Sequence, residues 1–126
     1  IMLTGNKIPL ISFNSNTVSA VKIISKKNLG IGIVVKNKNV VGIVTDGDIR
    51  RGTKNYSKKT KITALMTKKP MHIGESISAA KALSVMNDKK ITSLIVSSDL
   101  DFKKRKAVFK PKGILHIHSL LKYGMK

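Results

Sequence analysis

The spacing of apolar residues predicts that the first half of the chain begins with a strand and a helix. Residues 10–11 form a short apolar segment. Three apolar residues then recur at intervals that place them on one helical face: Val18, Val21 and Ile24. Asn16 or Thr17 is the expected N-cap of this helix, and Gly30 is its expected stop.

A hairpin and a second helix are predicted next. Residues 31–35 and 40–44 are β-branched runs, and the polar residues 36–39 between them are typical of a tight turn. The segment TDGDIRR, residues 45–51, then turns the chain from the strand into a short helix.

The second half of the chain repeats this order. Residues 71–73 form a strand pattern, and Ser76 is the expected N-cap of a helix whose apolar face has three members: Ile77, Ala80 and Leu83. The segment GILHIHSL at 113–120 matches GIVTDGDI at 42–49 with an offset of 71. Residues 98–112 form an insertion relative to the first copy, and we expect an exposed loop there.

The repeat predicts a mixed α/β (α+β) fold built from two β-α-β-β-α units. Neither unit carries enough apolar surface to close a core alone, so we expect them to pack together about a pseudo-two-fold axis. The predicted boundaries are 1–54 for the first repeat, 55–65 for a linker and 66–126 for the second repeat.

Charge adds a second feature to this picture, because the chain has 25 Lys and Arg against 6 Asp and Glu, a net charge of +19. Only Arg50, Arg51 and Arg105 are arginine, and the lysines are spread along the chain, so we expect no sequence-specific nucleic acid partner. The basic segment 103–106 is either a solvated loop or a contact for nucleic acid, an anionic lipid surface or an acidic partner. No apolar run is long enough to cross a bilayer, and cysteine is absent. We therefore expect a soluble, cytoplasmic protein without a membrane partner.

The segment after residue 44 is the best candidate for a binding site. A helix that starts there presents unpaired N–H groups and a partial positive charge to an anion. Thr45 and Asp48 have the polar groups to bind ribose, while Arg50 and Arg51 have the charge to bind phosphate. The alternative is structural, with Asp46 or Asp48 capping the helix and the arginines solvated.

His116 and His118 are the other candidates for binding chemistry. On a strand they would point to the same face, as two metal ligands do. Zinc requires three or four ligands, and His72 is the only other histidine of the chain. We therefore predict no metal site, and expect the pair to line a cleft between the repeats or to bond locally.

The order of elements resembles the cystathionine beta-synthase (CBS) domain pair, also called a Bateman module. The family signature is a glycine, two apolar residues, Ser or Thr, two variable residues and Asp, and residues 42–48 supply it. More narrowly, the segments IMLTGNKIP, LGIGIVV, GIVTDGDIRR, ITSLIV and LHIHSLLKYGM are similar to the C-terminal CBS pair of bacterial arabinose 5-phosphate isomerases.

This resemblance implies a regulatory and assembly role without catalysis in these residues. In the isomerase family a sugar isomerase domain precedes the CBS pair, and the first residue, Ile1, fits a piece of a longer chain. The parent reaction would supply the Kdo route to lipopolysaccharide.

The resemblance also implies a regulatory ligand, AMP, ATP or the nucleotide-sugar CMP-Kdo, between the repeats. The nucleotide-binding residues would be Thr45, Asp46, Gly47, Asp48, Arg50, Arg51, His116 and His118. His116 and Ser119 replace Thr45 and Asp48 in the second copy, which weakens that site. A ligand-free homodimerisation module is the alternative, and a basic nucleic-acid-binding domain is a more remote one.

Overall fold

The computed structural model describes residues 2–55 and 60–124 of the chain. These residues divide between two compact units, one formed by Ile8–Pro70 and the other by Ile1–Lys7 together with Met71–Lys126. The predicted connection between the repeats lies partly outside the described residues, at 56–59. Within the described ranges, no helix has both the length and the apolar character that crossing a membrane requires.

The first unit contains the predicted strand, helix and hairpin. Its elements are β1 (Leu10–Ser12), α1 (Thr17–Lys27), β2 (Ile31–Lys36), β3 (Asn39–Thr45), α2 (Asp46–Asn55) and β4 (Thr67–Lys68). The sheet order is β1-β2-β3-β4, with β1 parallel to β2 and the other pairs antiparallel. The core between sheet and helices is formed by Ile11, Ala20, Ile24, Val34, Val44, Ile49 and Ile62.

Local sequence explains the turns of this unit. Asn16 caps α1, because its side chain accepts a hydrogen bond from the Ser19 amide at 3.0 Å. The prediction that Gly30 stops the helix is wrong, because Asn28 already adopts a left-handed conformation with φ of 57° and ends α1 at Lys27. The predicted hairpin is confirmed, with positive φ at Asn37 and Lys38, as a two-residue turn requires.

The second unit repeats the first in the order of its elements. They are β5 (His72–Gly74), α3 (Ala79–Lys89), β6 (Ser93–Ser97), α4 (Asp99–Lys103), β7 (Gly113–His116) and α5 (Ile117–Gly124). Strand β6 is central, parallel to β5 and antiparallel to β7. The core comprises Ile73, Ala82, Met86, Leu94, Val96, Leu115 and Leu120.

Two predictions for this unit are wrong. Ser78 and not Ser76 caps α3, because Ser78 Oγ accepts from the Lys81 amide at 3.1 Å. The insertion at 98–112 is only partly an exposed loop, since it begins with α4 and buries Phe109 to 1% exposure.

Each sheet is extended by residues from the predicted start of the other repeat. In the first unit β4 pairs with β3. In the second, Leu3 exchanges backbone hydrogen bonds of 2.8 and 3.0 Å with Ile114 of β7. These segments approach the strands at a glycine: a Cβ on Gly42 would lie 2.9 Å from the Thr67 carbonyl oxygen, and one on Gly113 would lie 2.8 Å from that of Leu3. The close approach of these segments explains why Gly42 and Gly113 have no side chain. The predicted repeat boundaries stay a prediction.

Candidate functional site

The turn from β3 into α2 is closed by a reciprocal pair of hydrogen bonds. The Asp48 amide donates to Thr45 Oγ1 at 3.1 Å, and the Thr45 amide donates to Asp48 Oδ2 at 2.9 Å. This is a capping box, in which a hydroxyl before the helix and a carboxylate in its first turn satisfy each other's backbone groups. Asp48 therefore has the structural role considered as the alternative to binding: it takes part in capping α2.

The other residues of this segment surround the capping box. Arg51 donates to Asp48 Oδ1 at 2.7 Å, although its side chain is 75% exposed. Its guanidinium also lies beside Gly47, where a Cβ would be 3.2 Å from Nη1. The Asp46 amide donates to the carbonyl oxygen of Gly30 at 3.1 Å, which joins the start of α2 to the start of β2. Strand end, helix start and arginine thus form one compact polar turn.

This turn combines structural and binding capacity. Each Asp48 oxygen already accepts one hydrogen bond, from Thr45 or Arg51, and a carboxylate has roughly four acceptor positions in total. A second partner is therefore chemically possible for Asp48. The first amides of α2 favour a negatively charged group, and the exposed Arg51 can share its charge with one.

The equivalent turn of the second unit is built differently. His116 ends β7, and His118 lies in the first turn of α5, so the prediction that both lie on one strand is wrong. Their rings stack with centroids 4.9 Å apart. The His118 amide donates to His116 Nδ1 at 3.2 Å, so His116 caps α5 in the way that Thr45 caps α2.

This capping favours the neutral form of the His116 ring. Nδ1 must be unprotonated to accept from the His118 amide. Burial, and secondarily the charge of His118, lowers the pKa of His116 below its ordinary value of 6.5. Both effects favour the neutral ring at physiological pH.

The predicted site residues thus form two groups. Six lie in the first unit around one turn: Thr45, Asp46, Gly47, Asp48, Arg50 and Arg51. His116 and His118 lie together in the second unit. Their role in nucleotide binding stays a prediction.

A buried histidine that sequence reasoning did not single out organises the insertion. The ring of His72 stacks on Phe109 with centroids 3.7 Å apart. Because a carbonyl oxygen can only accept, His72 Nε2 carries a proton and donates to the Lys106 carbonyl at 2.8 Å. His72 Nδ1 bonds to the hydroxyl of Ser97. His72 of β5 therefore attaches the insertion to the sheet through the backbone carbonyl of Lys106.

The near end of the insertion is also attached to the second unit. Ser98 caps α4 by accepting from the Asp101 amide at 3.1 Å. Asp99 accepts hydrogen bonds from the hydroxyl and the amide of Ser76, and these bonds lower the pKa of Asp99. The spacing of Ser98 and Asp101 is a helix-start signal that could have revealed α4 from sequence.

The segment that contains Ser76 borders an apolar pocket of about 210 Å³ in the second unit. The pocket is lined by Met2, Glu75, Ile77, Ser78, Ala79, Val96, Leu115 and Leu120. Most of these side chains belong to or pack on the core, so the pocket is a gap beside α3. It includes none of the predicted site residues.

Comparison with known proteins gives these turns a family context. Residues 4–54 and 62–126 match the CBS domain. The chain is 35% identical to protein RP505 of Rickettsia prowazekii over 99% of its length, which is 37% of that protein. It is 33% identical to the arabinose 5-phosphate isomerase KdsD of Francisella tularensis over 100% of its length, again 37% of the relative. The chain therefore spans little more than a third of the length of these relatives.

Solved structures show the same fold. The crystal structure of CBSX2 in complex with AMP gives a TM-score of 0.78 at 20% identity and covers 98% of this chain and 92% of that one. The cytosolic domain of the Mg²⁺ channel MgtE in complex with ATP gives 0.74 at 12% identity, over 96% of this chain and 46% of that one. The family match covers two segments, and the structure has two units with the same order of elements, each with a capped turn from strand to helix. The chain belongs to the CBS domain family and is a CBS pair, a regulatory module rather than a catalytic one.

Proposed function

We propose that this CBS pair binds AMP or ATP at the β3–α2 turn and regulates a D-arabinose 5-phosphate isomerase that carries it. The likeness to KdsD over the whole chain supports the parent activity. The neighbours described with AMP and with ATP support the ligand class. A sugar isomerase domain in the same chain, a cytoplasmic location and a role in lipopolysaccharide synthesis belong to this proposal.

The observation that carries the ligand proposal is the capping box at Thr45 and Asp48. Its two hydrogen bonds hold the Asp48 carboxylate at the helix start, beside the first amides of α2. A ribose has two neighbouring hydroxyls that can donate to this carboxylate, and the phosphate would bind the helix start and Arg51. The ligand would thus use groups that are already oriented.

The second repeat supports a single principal site. His116 and Ser119 stand where the first repeat has Thr45 and Asp48. Imidazole and hydroxyl provide no carboxylate for ribose, and His116 Nδ1 already accepts from the His118 amide. We therefore assign nucleotide binding to the first repeat.

Thermal denaturation with AMP, ATP and CMP-Kdo tests this function. A ligand that binds only the folded state stabilises it by about 2.7 kcal/mol at a hundredfold excess over Kd. We expect AMP or ATP to raise the Tm by several degrees and tripolyphosphate at matched ionic strength to raise it much less. CMP-Kdo is the comparison ligand that tests the alternative nucleotide-sugar.

Asp48→Asn is the informative variant, because its amide oxygen can still accept from the Thr45 amide, while the negative charge and the second acceptor oxygen proposed for ribose are lost. Asp88→Asn removes an exposed carboxylate from α3 and is the matched control. We expect the nucleotide shift to survive in Asp88→Asn and to vanish in Asp48→Asn. No shift with any nucleotide at millimolar concentration would leave the ligand-free dimerisation module, which static light scattering on the same chain would detect.

A further inference from the structure

The insertion presents apolar and cationic side chains together at the surface of the second unit. Leu100 is 58% exposed, Val108 is 51% exposed and Phe102 is 46% exposed. A run of exposed cations lies between Phe102 and Val108 in the sequence, and we define the insertion patch as Leu100, Phe102, Lys103, Lys104, Arg105 and Val108. Apolar side chains of this size are usually buried in a soluble fold.

The carboxylates of the insertion do not neutralise this patch. Asp99 is held by the hydroxyl and amide of Ser76 in the loop before α3. Asp101 is 19% exposed and pairs with Lys106 at 3.4 Å. The insertion has six cations against these two carboxylates, and Lys103, Lys104 and Arg105 are exposed, so the patch keeps a positive charge.

The patch is held on a firm base. Phe109 is buried against His72, and His72 also donates to the backbone of Lys106. Ser98 caps α4, and Arg105 adopts a left-handed backbone conformation with φ of 52° just after this helix. Binding at the patch would thus order few additional residues, which lowers its entropic cost.

We infer that the insertion patch binds an anionic lipid surface. Acidic headgroups attract its cations, and the boundary with the acyl chains accepts Leu100, Phe102 and Val108. Nucleic acid satisfies the cations and can stack on Phe102, but it offers no apolar surface to leucine and valine. A stable protein interface takes roughly 20–30 residues from each partner, whereas the patch has six. This is attachment at a surface and not a spanning segment.

Sedimentation with vesicles of phosphatidylcholine and phosphatidylglycerol in equal amounts, against pure phosphatidylcholine, tests the inference. We expect binding to the anionic vesicles only. Because the whole chain is basic, the decisive comparison is between variants of equal net charge. Lys103→Glu with Lys104→Glu should weaken binding about tenfold or more, and Lys22→Glu with Lys26→Glu on α1 about twofold.

The apolar contribution has its own matched pair. Leu100→Ser with Val108→Ser should weaken binding about fivefold. Val18→Ser with Val21→Ser replaces two side chains that are each 39% exposed on α1 and should leave binding unchanged. Circular dichroism on all four double variants verifies that they fold.

The absence of cysteine allows a direct readout of insertion into lipid. A polarity-sensitive fluorophore on Leu100→Cys should shift to the blue with anionic vesicles, while the same label on Val21→Cys should not shift. Equal losses in the patch variants and the α1 variants would overturn the inference in favour of diffuse charge. Binding of duplex DNA or polyglutamate that depends on the patch, without vesicle binding, would overturn it in favour of another partner.

Discussion

The two repeats use different residues to cap the helix that closes each of them. Thr45 caps α2 with its hydroxyl, and its amide donates in return to Asp48 Oδ2. His116 caps α5 with a ring nitrogen that accepts only while the ring is neutral. The second turn therefore depends on the protonation state of an imidazole.

We expect acidification to destabilise the second unit through His116. Its pKa is lowered in the folded state, so the unfolded chain takes up a proton first as the pH falls. The stability that the neutral ring contributes is fully present above its ordinary pKa of 6.5 and is lost as the pH falls through the lower, folded value. Urea denaturation at about pH 8 and about pH 5 measures the difference.

His116→Asn is the control for this prediction, because an amide oxygen can cap the helix at either pH. The variant should lose less stability between the two pH values than the natural chain does. His116→Ala removes the cap and should cost about 1 kcal/mol at the higher pH. A loss on acidification that is identical in the natural chain and in His116→Asn would assign the effect to other groups.

At the scale of elements, the far end of the insertion is fixed by packing rather than by local sequence. Phe109 lies fully buried, stacked on His72 of β5. Phe102 contacts the same ring edge-on at 6.3 Å and stays 46% exposed. The two aromatic residues of one insertion thus differ in how much they stabilise it.

Phe109→Ala should destabilise the chain by about 3 kcal/mol, because it leaves a cavity beside a buried ring. Phe102→Ala is the matched control and should cost less than about 1 kcal/mol, since half of its surface is already in water. Denaturant unfolding measures both, and amide exchange of residues 99–110 should accelerate far more in Phe109→Ala. Equal losses in the two variants would contradict the anchoring role of Phe109.

The hairpin could be predicted because its signal is local, whereas the roles of Ser76 and His72 depend on distant partners. The hairpin follows from β-branched runs around a polar turn that can adopt positive φ. Ser76 could not be excluded as a cap from sequence, because Asp99, 23 residues away, holds it. The role of His72 likewise depends on Ser97 and Lys106, 25 and 34 residues away. The β3–α2 turn could be located from its signature, but the two reciprocal hydrogen bonds between Thr45 and Asp48 are visible only in the structure.

At the scale of the whole molecule, the charge of +19 acts on both units. Among the described residues, Arg51 pairs with Asp48 and Lys106 pairs with Asp101. Most cations therefore cannot be matched by the six acidic residues of the chain. An excess of like charge opposes the compact state.

We therefore expect added salt to stabilise the protein. The screening length falls from about 30 Å at 0.01 M salt to about 10 Å at 0.1 M, which weakens repulsion between distant lysines. The Tm should rise across this range, and less so in Lys103→Glu with Lys104→Glu, which lowers the net charge. A Tm that falls with salt would indicate that attractive pairs dominate.

Because ATP is itself a polyanion, the nucleotide titration is decisive only at fixed ionic strength. A rise in Tm that tripolyphosphate reproduces is due to screening, and a rise in Tm that requires Asp48 is due to binding.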